Sequence, residues 1–540
     1  MFILNVCLTN LIRDEHMEKA LKIGQKSAKG SFWLLMGSVI SIVILSVSTI
    51  IMGALIETDE YGLYVVALIP AATILLFQDW GVGTAMSKYC AQYNNIKEEG
   101  SLRKFIKVGL IFGITTGLIL TLISLSLANI IASSVFGKPE ASYFIVLASV
   151  SILSTSVLSG TNSIFLGFEK MKFISILAVC QAILQAGLSL FLVFAGYGTL
   201  GIVLGYILPS IATSIFGLIL LYFGVYKKLD SNAPSSFDTT KTLKLFLGFG
   251  IPIGASMIIS GMVLQFHQFI MAALLDEIVI GNYKMALNFA GLLSFFTIPI
   301  SRVLFPAFSK LNFQKETKLV KSIFSSSIKY TSFLLVPATL AVMILSQPII
   351  STLYGDKWLY SPFFLSLVAI LKLYALFGMI TFPSFLNAQG ETFFLLKLNL
   401  LNLAVGIPLA VLLIPKFGIP GLILADIVDY IPSLIIMILW TEKRYGIKID
   451  FRSSGKIFLA SIVATLPTYL YLSIFAAPAW VLLVSGTVLF IAIYIAAAPL
   501  LGAVNEKDLN NLRTMVSGLG IVSKVINIFL LLMRKILRAN

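Results

Sequence analysis

A few ionisable side chains stand inside long apolar stretches of this chain. Lys284 lies in GNYKMALNF, Lys372 in AILKLYALFG, and Asp426 and Asp429 in ADIVDY. Charge in such surroundings is costly against hydrocarbon and normally faces protein, water or a ligand. Lysines placed there call for water or a counter-charge. The two aspartates are three residues apart, so a helix puts them on one face. They offer Lys372 a counter-ion, or hold an exchangeable proton or sodium ion. His267, in QFHQF, reads either as a hydrogen-bonded core histidine or as a contact for a polar ligand. Asn288, Gln181 and Gln185, with Asn162, Asn399 and Asn402, offer amides to a polar ligand or ties between helices. Asp79 and Arg302 fall near span ends, where a gate ion pair or an interfacial cap is expected. Tyr64 and Tyr283 read as interfacial anchors.

The elements that carry these residues are membrane helices. The chain has 540 residues, 58% hydrophobic and only 12% charged, with a mean hydropathy of +0.98. Soluble chains are nearer one quarter charged. Apolar runs of about 20 residues, the length that crosses a bilayer as helix, recur throughout. Helices are expected because each satisfies its own backbone in lipid. We count fourteen spans: 30–56, 61–83, 105–136, 142–166, 173–195, 199–223, 245–275, 279–306, 327–353, 361–386, 392–414, 419–440, 456–476 and 479–500.

Lys and Arg alternate across these spans. Lys88, Lys97, Arg103 and Lys104 fill the second loop, and Lys227, Lys228, Lys241 and Lys244 the sixth. Lys310, Lys315, Lys318 and Lys321 fill the eighth; Lys443, Arg444, Lys448 and Arg452 fill the twelfth. The odd loops hold only Lys138, Lys357 and Lys416. Cytoplasmic loops carry the basic excess, so both termini are expected in the cytoplasm of a multi-pass cell-membrane protein. This pattern also accounts for the net charge of +15 without nucleic acid as a partner. Cys7, Cys90 and Cys180 are far apart and fit no disulfide framework or zinc spacing. No metal site or cofactor is expected beyond H+ or Na+ coupling. Met17 offers an alternative start. The tail 503–540 mixes Lys and Arg with apolar residues at helical spacing, as an amphipathic helix on an anionic leaflet would.

The chain repeats itself. Met52, Ala54, Leu55, Gly62, Tyr64 and Ala67 meet Met271, Ala273, Leu274, Gly281, Tyr283 and Ala286 at a constant offset of 219. Gly137 meets Gly355 at 218, Gly198 meets Gly418 at 220, and Gly167 meets Gly390 more loosely at 223. One shared offset over six spans implies parallel repeats about an axis along the membrane normal. The expected organisation is an N-terminal segment (1–29), an N-lobe (30–225), a flexible linker (226–244), a C-lobe (245–440), two appended spans (441–502) and the tail. Lys284 faces Val65 across the repeat, so the scaffold is duplicated while the charge is not.

EYGLYVVALIPAATILLFQDWGVGTAMSKYCAQY resembles the first-lobe signature of the polysaccharide exporters of the multidrug/oligosaccharidyl-lipid/polysaccharide superfamily; Asp79, Gly81 and Lys88 match it. GNYKMALNF, LFPAFSKL, YGDKWLYS and IPKFGIPGLILA resemble the matching second-lobe segments, and the likeness covers about residues 20–500. The resemblance implies a Wzx-type flippase in the fold shared with lipid II flippases and multidrug extruders. Such a protein turns a polyprenyl-(pyro)phosphate-linked oligosaccharide from the inner to the outer leaflet. It implies a basic residue in the helix of Lys284, a monomer, and glycosyltransferases or a polymerase in the same pathway. Lipid II flippases place arginines in their first two helices; FWLLMGSVISIVILSVSTIIMGALI has none, which favours another glycolipid. An ion-coupled drug antiporter is the nearer rival. A membrane glycosyltransferase or polymerase is the further one, disfavoured by two histidines, short odd loops and no catalytic motif.

Overall fold

The computed structural model describes residues 15–230, 233–234, 237–293, 304, 308–309, 313, 316–516 and 521–539. All regular structure among them is helical. The first half runs α1 (Glu15–Leu55), α2 (Thr58–Leu75), α3 (Val82–Asn95), α4 (Glu99–Ile130, prolonged by a π turn to Val135), α5 (Ala141–Gly167), α6 (Met171–Phe194) and α7 (Gly198–Gly224). The second runs α8 (Thr239–Leu274), α9 (Glu277–Leu292), α10 (Thr317–Ile344), α11 (Ser346–Tyr354), α12 (Ser361–Ile370), α13 (Thr381–Ala388), α14 (Thr392–Phe417) and α15 (Ile419–Tyr445). A pair, α16 (Phe451–Ile474) and α17 (Ala479–Leu500), packs beside α10 and α11, followed by α18 (Glu506–Val516) and α19 (Ile521–Ala539).

Eleven of the described helices are long and apolar enough to cross a membrane, or twelve if the bent pair containing α12 and α13 is one span. The protein is a multi-pass membrane protein. Of the fourteen expected spans, the second is represented by the 18 residues of α2, about 27 Å of helix at 1.5 Å per residue. Most of the second half of the eighth lies outside the described residues. Phe32, Met36, Ile40, Val43, Val47 and Ile51 of α1 recur every three or four residues, and all are exposed. That stripe has no partner among the described residues and is suited to acyl chains. Small residues let neighbouring helices meet: Gly37 of α1 lies against Ser175 of α6, and Gly205 of α7 against Ser189 of α6.

Three stretches depart from expectation. The second span does not run to residue 83. It stops at Leu75, turns through Trp80 (φ 46°) and Gly81 (φ 76°), and restarts as α3, whose Val82, Ala85, Met86 and Cys90 form a buried face. The tenth span is broken. A 3-10 segment, Leu371–Phe377, and left-handed Gly378 (φ 80°) separate α12 from α13, with a 49° bend. The linker is docked where it is described. Arg103 donates to the Leu229 carbonyl (2.8 Å), Glu99 accepts from the Asp230 amide (2.6 Å), and Phe237 packs on Tyr93 and Phe105.

The repeat is visible in the backbone. Gly137 and Gly355 both take positive φ (67° and 85°), as do Gly198 and Gly418 (47° and 61°). The looser pairing of Gly167 with Gly390 is out of register. Gly390 has φ 80°, and the positive φ of the first half falls on Glu169 (φ 55°).

The N-terminal ends of α2 and α9 meet directly. A Cβ on Gly62 would lie 1.9 Å from the carbonyl oxygen of Glu277, and one on Gly281 would lie 2.3 Å from that of Thr58. Glu277 and Thr58 are themselves 219 residues apart, so the contact is reciprocal, as a twofold axis requires. Because like ends touch, both halves enter the membrane from the same side. One apolar cluster surrounds this seam, containing Met52, Ile56, Tyr61 and Val65 from one half and Met271, Tyr283, Trp358 and Phe364 from the other. At the lysine-rich end, α8 crosses to the first half, where Gly250 and Gly254 rest on Trp80 and Gly81. The last turns of α8 pack on α14.

Candidate functional site

Three second-half helices converge on one buried polar cluster. His267 sits two turns before the end of α8 and is buried. Its Nδ1 is 2.7 Å from Asp426 Oδ1 on α15, and its Nε2 is 3.1 Å from the Gly406 carbonyl on α14. Asp429, also buried, lies one turn along α15. Ligand atoms of His267, Asp426 and Asp429 all lie within 4.8 Å of one another. Gly406 keeps the site tight, since a Cβ there would come within 2.8 Å of Asp429 Oδ2.

This geometry fixes protons. A carbonyl oxygen only accepts, so Nε2 carries a hydrogen. At Nδ1 a carboxylate is the neighbour, and one further proton must sit between nitrogen and oxygen. The pair therefore holds one proton more than a neutral imidazole with a free carboxylate. Asp429 sets a second carboxylate beside that pair.

Lys372 occupies the 3-10 segment of the broken span, half-buried, with no ion pair among the described residues. Of the two readings of the aspartates, the counter-ion for Lys372 is not seen among the described residues; His267 takes Asp426. The link to α15 is made instead by Tyr374, whose hydroxyl donates to the Ile427 carbonyl at 2.6 Å and whose ring packs on Tyr430. The segment carrying Lys372 is thus tied between the two aspartates.

Lys284 is half-buried on α9 and likewise makes no ion pair or hydrogen bond among the described residues. Its repeat partner Val65 is buried in the seam. One turn on, Asn288 donates across the seam to the Tyr61 hydroxyl (2.8 Å). Gln181 and Gln185, one turn apart on α6, are half-buried and make no side-chain hydrogen bond among the described residues. Asn399 donates to Ser260 (2.7 Å), and Asn402 accepts from Ser433. Asp79 caps α3, its Oδ1 accepting from the Gly83 amide at 2.6 Å. Arg302, its expected gate partner, lies outside the described residues. Tyr64 and Tyr283 join the apolar seam rather than standing free at an interface. Sequence reasoning did not find Gly406 or Tyr374; a backbone acceptor leaves no side-chain signature, and Tyr374 read as one aromatic in an apolar run.

Comparison with known proteins places this architecture. A family model described as "Polysaccharide biosynthesis protein" matches residues 31–362, and one for the lipid II flippase MurJ matches residues 265–491. The lipopolysaccharide biosynthesis protein WzxC of Escherichia coli is 23% identical, over 77% of this chain and 82% of its own. The probable low-salt glycan biosynthesis flippase Agl15 of Haloferax volcanii is 21% identical, over 67% of this chain and 76% of its own. Among solved structures, lipid II flippase MurJ in an inward closed conformation superposes with a TM-score of 0.69 at 16% identity, covering 86% of this chain and 98% of that one. With more than half of its length matched by that first family model, the chain belongs to the polysaccharide biosynthesis protein family.

Proposed function

We propose that the protein flips a polyprenyl-(pyro)phosphate-linked oligosaccharide from the cytoplasmic to the outer leaflet of the cell membrane. It is a transporter, and the two halves rock about their seam to give alternating access. Both termini face the cytoplasm in this reading, as the distribution of Lys and Arg requires. The observation that carries it is the pair Lys284 and Lys372, in spans of one half only and with no ion pair among the described residues. A phosphate-bearing head group cannot enter hydrocarbon, and these two ammonium groups give it a compensating site. Gln181 and Gln185 are available for sugar hydroxyls. Asn288 is engaged with Tyr61 here and would join them once the seam opens. Family membership and the flippases among the relatives support the substrate class. The arginine-free first two spans favour a glycolipid other than lipid II.

The His267–Asp426–Asp429 cluster favours an ion-coupled cycle, with a proton as the coupling ion. Tyr374 links that cluster to the segment bearing Lys372, so loading one biases the other. The test is leaflet accessibility of a fluorescent lipid-linked glycan in proteoliposomes, with and without a pH gradient. Gradient-dependent translocation above protein-free vesicles is expected. Translocation that ignores the gradient would remove proton coupling, and none with any anionic glycolipid would remove the flippase reading.

A further inference from the structure

The end of the molecule with few cations still holds Lys138 and Lys357, and both reach across the seam. Lys138 lies in the turn between the π turn that prolongs α4 and α5. Its buried ammonium donates to the Leu275 carbonyl at 2.8 Å and to the Glu277 carboxylate at 2.5 Å, both in the second half. Lys357, 219 residues later, lies in the turn after α11. It donates to the Ala54 carbonyl at 3.2 Å and stands 4.0 Å from Glu57, both in the first half. Its neighbour Trp358, buried, donates to the Gly53 carbonyl at 2.8 Å.

The targets lie at like places but not at equivalent residues: at the offset of 219, Leu275 and Glu277 match Ile56 and Thr58, whereas Ala54 and Glu57 match Ala273 and Asp276. Leu275 and Ala54 close the first helix of the opposite half, where terminal carbonyls have no helical partner and the macrodipole is negative. Glu277 and Glu57 follow directly. Each half thus extends one cationic turn to the helix end and acid of the other, with the Gly62–Gly281 contact between them. The two straps are unequal. Lys138 is buried with two short bonds, whereas Lys357 is partly exposed and 4.0 Å from its acid.

We propose that Lys138 and Lys357 are paired latches of an outer gate, with Lys138–Glu277 the stronger, and that release of substrate requires both to open. The inference rests on the alternating-access reading for its role in transport, but the latch itself is tested without substrate. Spin labels on Tyr197→Cys and Phe417→Cys report the separation of the two halves at this end. Both positions are exposed and are repeat partners 220 residues apart. The full chain, with Cys7, Cys90 and Cys180 replaced, is measured in proteoliposomes by pulsed dipolar spectroscopy. Lys138→Met is expected to raise the long-distance population at least tenfold, Lys357→Met less, and Lys138→Arg to stay near the parent. If Lys138→Met is not recovered folded, Glu277→Gln removes the same pair from the other side and must open the gate likewise. Unchanged distances in Lys138→Met or Glu277→Gln and in the Lys138/Lys357 double variant would overturn the latch. Failure of glycolipid transport with distances behaving as described would count against the flippase reading alone.

Discussion

Gly281→Ala places a methyl group where the seam has no room. Its Cβ would stand 2.3 Å from the Thr58 carbonyl and 3.0 Å from the Gly62 amide nitrogen. Ordinary carbon contacts begin near 3.4 Å, so α2 and α9 must part by about 1.1 Å; for Gly62→Ala, at 1.9 Å from Glu277, the figure is about 1.5 Å. A gap of about 1 Å already forfeits roughly half of each dispersion contact, and a wider one more. It also stretches the 2.8 Å Tyr61–Asn288 bond and the bonds of Lys138 beyond hydrogen-bonding range. Losing one or two such bonds, one of them to a charged group, costs roughly 2–4 kcal/mol. That shifts the closed-to-open ratio by about thirty- to seven-hundredfold. Spin-label distances across the seam should lengthen in either variant. Because one separation relieves both clashes, the double variant should cost little more than the worse single one, a marked non-additivity. Unchanged distances in both single variants, or fully additive effects, would refute a shared backbone seam.

Other outcomes follow from the same geometry. His267→Gln removes one ring donor and the shared proton, so transport should fall about tenfold or more and lose its dependence on a pH gradient, measured as initial flipping rate against imposed gradient. Asp450 caps α16 outside the membrane, accepting from the Ser453 hydroxyl (2.5 Å) and amide (3.0 Å). The Ser453 hydroxyl is the main cause holding its carboxyl below the usual range. A depressed folded value makes the contribution full above the unfolded Asp value of about 4 and lost as pH falls below it. Asp450→Ala should therefore cost about 1 kcal/mol at neutral pH and progressively less below pH 4, read from unfolding in detergent.

The repeat was legible because parallel duplication leaves a fixed offset in apolar sequence, and Gly62 and Gly281 proved to touch each other. Loop lysines were counted correctly, yet Lys138 and Lys357 looked like strays, since their partners are carbonyls and acids of the opposite half. Asp426 and Asp429 were recognisable by spacing. Their partner was not, because His267 is 159 residues away and Lys372 was the nearer-looking cation. The break at Lys372–Gly378 escaped notice because a 3-10 segment keeps the hydrophobicity of the helix it interrupts. The α3 restart was hidden by DWG, which reads as the end of a span but is the turn between two helices.

The central claim is that anionic glycolipid crosses against Lys284 and Lys372. The most direct measurement is the flipping rate of a diphosphate-linked glycan in proteoliposomes containing wild type, the Lys284→Ala/Lys372→Ala double variant, or the corresponding double arginine variant. The account predicts at least a tenfold loss in the alanine variant and substantial retention in the arginine variant. Wild-type rates in the alanine variant, with comparable reconstituted protein, would contradict it.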